Sequence, residues 1–269
     1  MDKDILMVAV RAAIEAGAKI MSVYTDPNAD FEIIMKKADN SPLTIADRRA
    51  HDAISEILSS TGIPVLSEEG ESIPFENRKE WNEMWIVDPL DGTKEFIKKN
   101  GEFTVNIAYV RNGTPQAGVI YIPVKEELYL GDCGCGAFKV ENINSIPEEE
   151  TFTSLVSRAI HLPVKEETHT FVVVASRSHL SSETEEFIEK IKETHPDVET
   201  VSKGSSLKLC LIAEGKADIY PRFAPTMEWD TAAGHAIIRA VGREVYHTDE
   251  RTPLSYNKED LHNPWFIAK

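Results

Sequence analysis

The sequence predicts an α+β N-terminal half joined to an α/β C-terminal half. Three textures in the chain point to it. Residues 2–24 place Ile5, Val8, Ala12, Ala16, Ile20 and Val23 at helical spacing, an amphipathic pattern. Residues 103–131 read as consecutive antiparallel strands, FTVNIAYV, QAGVIYI and LYLGD, and the Asn112-Gly113 pair between the first two is a hairpin signal. From residue 171 onward strands and helices alternate: FVVVAS, a helix near 182–194, a helix near 205–214 closed by Gly215, ADIYP, and a helix near 230–241 closed by Gly242. That alternation is the mark of an α/β layer.

The remaining elements fall between these. A second helix starts near Ser41 to Thr44 and runs to about Ser60, with Ala50, Ile54, Ile57 and Leu58 as its apolar face and Gly62 as its stop. IPVLS (63–67) is a short strand that ends at Glu68, and MWIV (84–87) is the next one. GAFKV adds a strand after the antiparallel run, whereas the acidic, irregular stretch 141–170 reads as loop or linker. The halves therefore divide as 1–150 and 151–269, with no internal repeat and no low-complexity tract.

Composition narrows the function. A chain of 269 residues with 42% apolar content supports one large domain or two tightly joined halves. A net charge of −16 argues against a broad nucleic-acid-binding surface but leaves room for a small basic pocket. No apolar run is long enough for a transmembrane segment, and MDKDILMVAV lacks a signal-peptide layout, so a cytoplasmic location is expected. The three cysteines argue against a disulfide framework, and Cys133-x-Cys135 in GDCGCGAF reads as a Gly-rich turn. No coiled-coil seam is visible, and monomer and homodimer both fit.

The chemistry concentrates in carboxylates. Taken singly each has a structural reading: SEEGE (67–71) as a solvated turn, Asp47 as partner of Thr44 in a capping box, Asp230 as a helix cap. Taken together, Glu68, Asp88 and Asp91 each follow a strand, where loops gather at one end of a sheet, and Asp230 opens a helix. Hard divalent cations take such oxygen ligands. In DPLDGT the Leu90 carbonyl lies between two aspartates, Gly92 allows a phosphate to come close, and the Gly92 and Thr93 amides favour an anion. Metals and amides together suit displacement at a phosphoryl group.

These residues resemble a known superfamily. Glu68-Glu69, Asp88 to Thr93 after WIV, and Trp229 to Gly234 (WDTAAG) occur in the order and form of the lithium-sensitive, Mg²⁺-dependent inositol monophosphatases. The finer likeness is to the 3′(2′),5′-bisphosphate nucleotidases, carried by KADNSPLTIADRRAH (37–51), PVLSEEGE (64–71), ASRSH (175–179), the stretch KGSSLKLCLIAEGKADIYPRFAPTMEWDTAAGHAI (203–237), and NPWFIA. The resemblance implies a layered αβαβα sandwich of the sugar-phosphatase type. It implies hydrolysis of 3′-phosphoadenosine 5′-phosphate to AMP and phosphate, with the sulfated analogue as a further substrate and a link to sulfate assimilation.

The same resemblance implies roles. Glu68, Asp88, Asp91, Asp230 and the Leu90 carbonyl match ligands of two or three Mg²⁺ ions. Asp47 and Thr93 match the pair that orients and deprotonates the attacking water. Gly92 and Thr93 match the phosphate cradle, and Ser176, His179, Gly204 and Lys208 match positions that hold the nucleotide. Glu68, Leu90, Asp91 and Asp230 thereby border the substrate as well. Arg222 in YPRF is a further candidate for the second phosphate, since guanidinium recognises phosphate. The first half thus supplies most metal ligands and the second most nucleotide contacts. The runner-up enzyme reading is an inositol monophosphatase-like phosphatase. The non-enzyme reading is a nucleotide sensor on the same fold, which would have no use for the Asp47–Thr93 pair.

Overall fold

The computed structural model describes residues 2–27, 33–36, 42–164, 170–177, 181–195 and 197–269. Helix α1 (Lys3–Tyr24) is capped by Asp2 and buries Leu6, Val10, Ala13 and Ile20 on one face. A short antiparallel pair, β1 (Ile33–Lys36) and β2 (Pro42–Thr44), leads into α2 (Ile45–Ser59), which packs along α1. The strands β3 (Val65–Ser67), β4 (Glu83–Asp91), β5 (Thr104–Arg111), β6 (Thr114–Ile122), β7 (Glu127–Asp132), β8 (Gly136–Val140) and β9 (Ile160–Leu162) lie side by side in chain order. Among the described residues this makes one seven-stranded sheet, in which β3 and β4 run parallel and the other neighbours antiparallel. Short helices α3 (Phe75–Arg78), α4 (Thr93–Ile97) and α5 (Phe152–Ser157) sit in its connections.

Alternation along the strands builds a core on each face. Trp85 and Val87 join α1 and α2 on one side. Met84 and Ile86 face the other, against α7 (Leu207–Glu214) and α8 (Glu228–Ala240). Each such fully buried side chain contributes about 1.5–3 kcal/mol. Two glycines set how near α8 can come. A Cβ on Gly118 of β6 would stand 2.2 Å from the Ala233 carbonyl oxygen, and one on Gly131 of β7 would stand 2.7 Å from Ile237 Cα. Helix and sheet backbones therefore meet directly, and the N-terminus of α8 is fixed over the end of β4.

Beyond α8 lie two small sheets: the parallel pair β10 (Phe171–Ser176) and β11 (Val198–Lys203), and an antiparallel set in which β14 (Phe266–Ala268) runs between β12 (Tyr220–Arg222) and β13 (Val245–His247). Val172 and Val174 point back to α7 and α8, whereas Val173 and Ala175 pack under α6 (Ser182–Thr194). The layers run α1/α2, large sheet, α7/α8, small sheets, α6. This is the expected αβαβα order.

Some expectations change in detail. The second helix begins at Ile45 with Thr44 as its cap, because residues 42–44 are spent in β2; Ser41 lies outside the described residues. MWIV is the middle of a longer strand that runs on through Asp91. The stretch 141–170 is not only loop. Thr151 caps α5 by accepting from the Ser154 amide at 3.2 Å, Phe152 and Leu155 bury on the α1 side, and β9 pairs with β8 as the sheet's last strand. Acidic flanks hid these short elements; residues 165–169 lie outside the described residues. The C-terminal half is the expected α/β layer, with β10 and β11 parallel and β12, β13 and β14 paired antiparallel. Cys133 and Cys135 sit exposed in the β7–β8 turn, as expected.

Candidate active site

Asp88 and Asp91 lie three positions apart, and on a regular strand residues an odd number of steps apart face opposite ways. β4 avoids this with a bulge. Asp88 pairs with Asn106 and Asp91 with Thr104, so three steps on β4 span two on β5. Pro89 falls within the bulge, where its missing amide hydrogen costs no ladder bond. Thr104 and Asn106 share a face, so both carboxylates turn to the side of the sheet that Ile86 and α8 occupy. The Leu90 amide donates to Asp88 Oδ1 at 3.0 Å, which fixes the turn of the bulge.

Asp230 arrives from above, in the first turn of α8, with Oδ2 accepting from the Met227 amide at 2.8 Å. One carboxylate oxygen from each of Asp88, Asp91 and Asp230 lies within 4.8 Å of the other two. Glu68 stands just past β3, its amide donating to the Val87 carbonyl at 3.1 Å, so it is the neighbour of Asp88 across the parallel pair. Such crowding has an electrostatic consequence. Burial first, then the charges of Glu68, Asp91 and Asp230, push the Asp88 carboxyl well above the ordinary carboxylate range. Burial, then Asp91 and Glu68, push Asp230 up to about 8. Asp91 is raised by burial although Lys208, Ser206 and Asn106 pull it down. An all-oxygen donor set whose members repel one another fits hard divalent cations, which would replace protons as the compensating charge.

Thr93 and Asp47 meet beside this cluster. Asp47 is buried in the first turn of α2, where Oδ2 accepts from the Thr44 amide at 2.8 Å and from the Thr44 hydroxyl. Its other oxygen, Oδ1, accepts from the Thr93 hydroxyl at 3.1 Å. Capping and contact with Thr93 are thus done by different oxygens of one carboxylate. Gly92, which precedes Thr93, adopts φ +93°, and a Cβ there would stand 3.0 Å from the Glu102 carbonyl oxygen.

One cavity of about 410 Å³ is lined by these acidic groups and by basic ones. Glu68, Asp88, Asp91 and Thr93 line it together with Ser176, Gly204, Lys208 and Arg222. Lys208 is buried, its ammonium donating to the carbonyls of Ser205 and, at 3.4 Å, Lys203, and lying 5.5 Å from the Tyr220 ring centre. Burial, helped by Arg222 and opposed by Asp91, brings its pKa down to about 8. Arg222 is buried too; Nη2 donates to the Pro225 carbonyl at 3.1 Å, and Nε has no protein partner among the described residues. Of the residues named from the sequence, Asp47 stands behind the wall, and His179 lies outside the described residues.

Two residues went unnamed. Asn106 is buried, its Nδ2 donating to Ser206 Oγ at 2.9 Å, while the Ser206 hydroxyl is 2.9 Å from Asp91 Oδ2. The pair joins β5 to the start of α7 and holds Asp91 in place. A lone asparagine in FTVNIAYV was the available signal, since a buried amide needs a partner.

The geometry has counterparts in known proteins. The profile of the inositol monophosphatase family matches residues 1–265. The chain belongs to the inositol monophosphatase family. Within that family it is 43% identical, over 94% of its length and 95% of the relative's, to the 3′(2′),5′-bisphosphate nucleotidase CysQ of Escherichia coli K12. It is 45% identical to the CysQ of Buchnera aphidicola, covering 87% of this chain and 80% of that one. Among solved family structures, CysQ from Bacteroides thetaiotaomicron superposes with a TM-score of 0.93 at 56% identity, over 100% of this chain and 97% of the other. The extragenic suppressor protein SuhB of Bartonella henselae gives 0.71 at 25% identity, over 98% and 93%. The αβαβα layering is therefore the family's own.

Proposed function

We propose that the chain is a Mg²⁺-dependent 3′(2′),5′-bisphosphate nucleotidase that converts 3′-phosphoadenosine 5′-phosphate to AMP and phosphate. The observation that carries this reading is one cavity lined both by a carboxylate cluster and by two buried cations, Lys208 and Arg222. A substrate with one phosphate to lose and another to be held fits that polarity. The likeness to bisphosphate nucleotidases along nearly the whole chain supports the same substrate class.

Glu68, Asp88, Asp91, Asp230 and the Leu90 carbonyl are the groups that would hold two or three Mg²⁺ ions. When bound, such ions lower the pKa of water and offset charge on phosphoryl oxygens. Gly92 and Thr93 receive the phosphoryl group to be cleaved. Asp47 holds the Thr93 hydroxyl as a donor, which leaves its lone pairs to accept from the attacking water and aim it. Lys208 and Arg222 take the other phosphate, Ser176 and Gly204 border the nucleoside, and the family resemblance assigns His179 the same role. Labour divides at about residue 150, with metal-side groups before it and nucleotide-side groups after it, Asp230 crossing over. The expected location is cytoplasmic; among the described residues no helix is long and apolar enough to cross a membrane.

The test is phosphate release at fixed Mg²⁺ from 3′-phosphoadenosine 5′-phosphate, its sulfated analogue and inositol 1-phosphate. The proposal expects both nucleotides to outpace the inositol ester. Turnover of inositol 1-phosphate alone would replace it with the inositol phosphatase reading, and tight nucleotide binding without turnover would replace it with a sensor.

A further inference from the structure

We infer that Glu102 is a positioning residue that ties the phosphate end of the cavity to its nucleotide end and thereby sets affinity for the nucleotide; this rests on the function proposed above. Glu102 lies between α4 and β5 and does not line the cavity. Its carboxylate reaches the other half of the chain. Oε2 accepts from the Gly204 amide at 2.8 Å. Oε1 accepts from Arg177 Nη2 at 2.9 Å and stands 3.5 Å from Lys203 Nζ. Arg177 Nη2 also donates to the Ser202 carbonyl at 3.1 Å, so the ends of β10 and β11 are gathered on one carboxylate.

The backbone of Glu102 fills the space between the two ends. A Cβ on Gly92 would stand 3.0 Å from its carbonyl oxygen, and a Cβ on Gly204 would stand 3.1 Å from the same atom. Glu102 is thus wedged between the glycine beside the carboxylate cluster and the loop that leads to Ser206 and Lys208. Its side chain is only 14% exposed, and hydrogen bonds to a shielded carboxylate are the stronger kind. Asp47, Asp88 and Thr93 have their own supports, given above, and none of these passes through Glu102. Asp91 leans on Ser206 of that loop but also on Asn106 of β5, at 3.4 Å, so removal of the Glu102 carboxylate loosens the Gly204 loop while the phosphate end keeps its supports on the large sheet.

The test compares wild type, Glu102→Ala and Glu102→Gln in steady state with Mg²⁺ and 3′-phosphoadenosine 5′-phosphate, with inorganic phosphate as a competing ligand. Glu102→Ala is expected to raise KM about tenfold, the scale of one lost charge-assisted hydrogen bond, with kcat and the phosphate inhibition constant within about twofold. Glu102→Gln, which keeps an acceptor for the Gly204 amide, falls between. A drop in kcat per folded enzyme at unchanged KM overturns the inference. So does an equal rise in KM and in the phosphate constant. If Glu102→Ala does not fold, Glu102→Gln decides by the same criteria, since it preserves size. Wild-type protein that leaves the nucleotide intact overturns the proposed function and this inference together. Wild-type turnover with both variants unchanged overturns this inference alone.

Discussion

At Asp47 one carboxylate serves two neighbours, and the sequence had offered these as rival readings. The Thr44 cap uses Oδ2 and the Thr93 hydroxyl uses Oδ1. Thr93→Val keeps the shape and removes the hydroxyl; kcat on the bisphosphate nucleotide should fall about 10²–10⁴-fold with KM little changed, and Thr93→Ser should recover most of it. A KM effect without a kcat effect would place Thr93 in binding only. Asp91→Asn keeps the contacts to Ser206 and Asn106 but removes charge from the cluster. Its activity should fall by more than the ~10–100-fold that loss of an outer partner of a metal ligand costs. The carboxylates were legible because DPLDGT concentrates them. Ser206 and Asn106 were not, because a hydroxyl and an amide take meaning only from what they touch, and these touch across distant parts of the chain.

The element that makes the site is the bulge in β4. Regular alternation, the rule by which strands were read, would send Asp91 into the α1/α2 core beside Val87. Only the pairing with β5 reveals the extra residue, so the sequence located the carboxylates but not the reason they converge. The same holds for α8. Its helical pattern was readable, but its closeness to β6 and β7 depends on glycines in other elements. Gly118→Val should place a side chain against the Ala233 backbone, lower the thermal midpoint by the equivalent of about 1–3 kcal/mol, and cost activity as Asp230 is lifted away. Differential scanning calorimetry with a parallel activity assay checks this; wild-type values in both would contradict the close approach. Short elements in 141–170 escaped reading because α5 and β9 offer too few apolar positions to establish a period.

Across the whole molecule the acidic cluster sets stability against pH. Asp230 is raised from 3.8 to about 8 in the folded protein, so the native state keeps a proton that the unfolded chain releases. The stability this group contributes is complete below its unfolded pKa and is lost as pH rises through the folded one; Asp88 and Asp91 are shifted in the same direction. Metal-free protein should therefore lose stability toward neutral and alkaline pH. Mg²⁺ should raise the thermal midpoint more at about pH 8 than at about pH 6, because it no longer competes with bound protons. An equal rise at both would mean that the carboxylates are ionised without metal. The layered order was legible at this scale from helical periodicity, strand alternation and turn signals, while the mixed pairing of the small sheets was not, since strands of three residues carry no directional pattern.

The most direct measurement is chromatographic identification of the product formed from 3′-phosphoadenosine 5′-phosphate, with Mg²⁺ and again with a chelator. A Mg²⁺-dependent 3′-phosphate hydrolysis gives one equivalent of phosphate and 5′-AMP in the presence of Mg²⁺, and leaves the nucleotide intact in its absence. Intact nucleotide in both, or release of the 5′-phosphate to leave 3′-AMP, would contradict it.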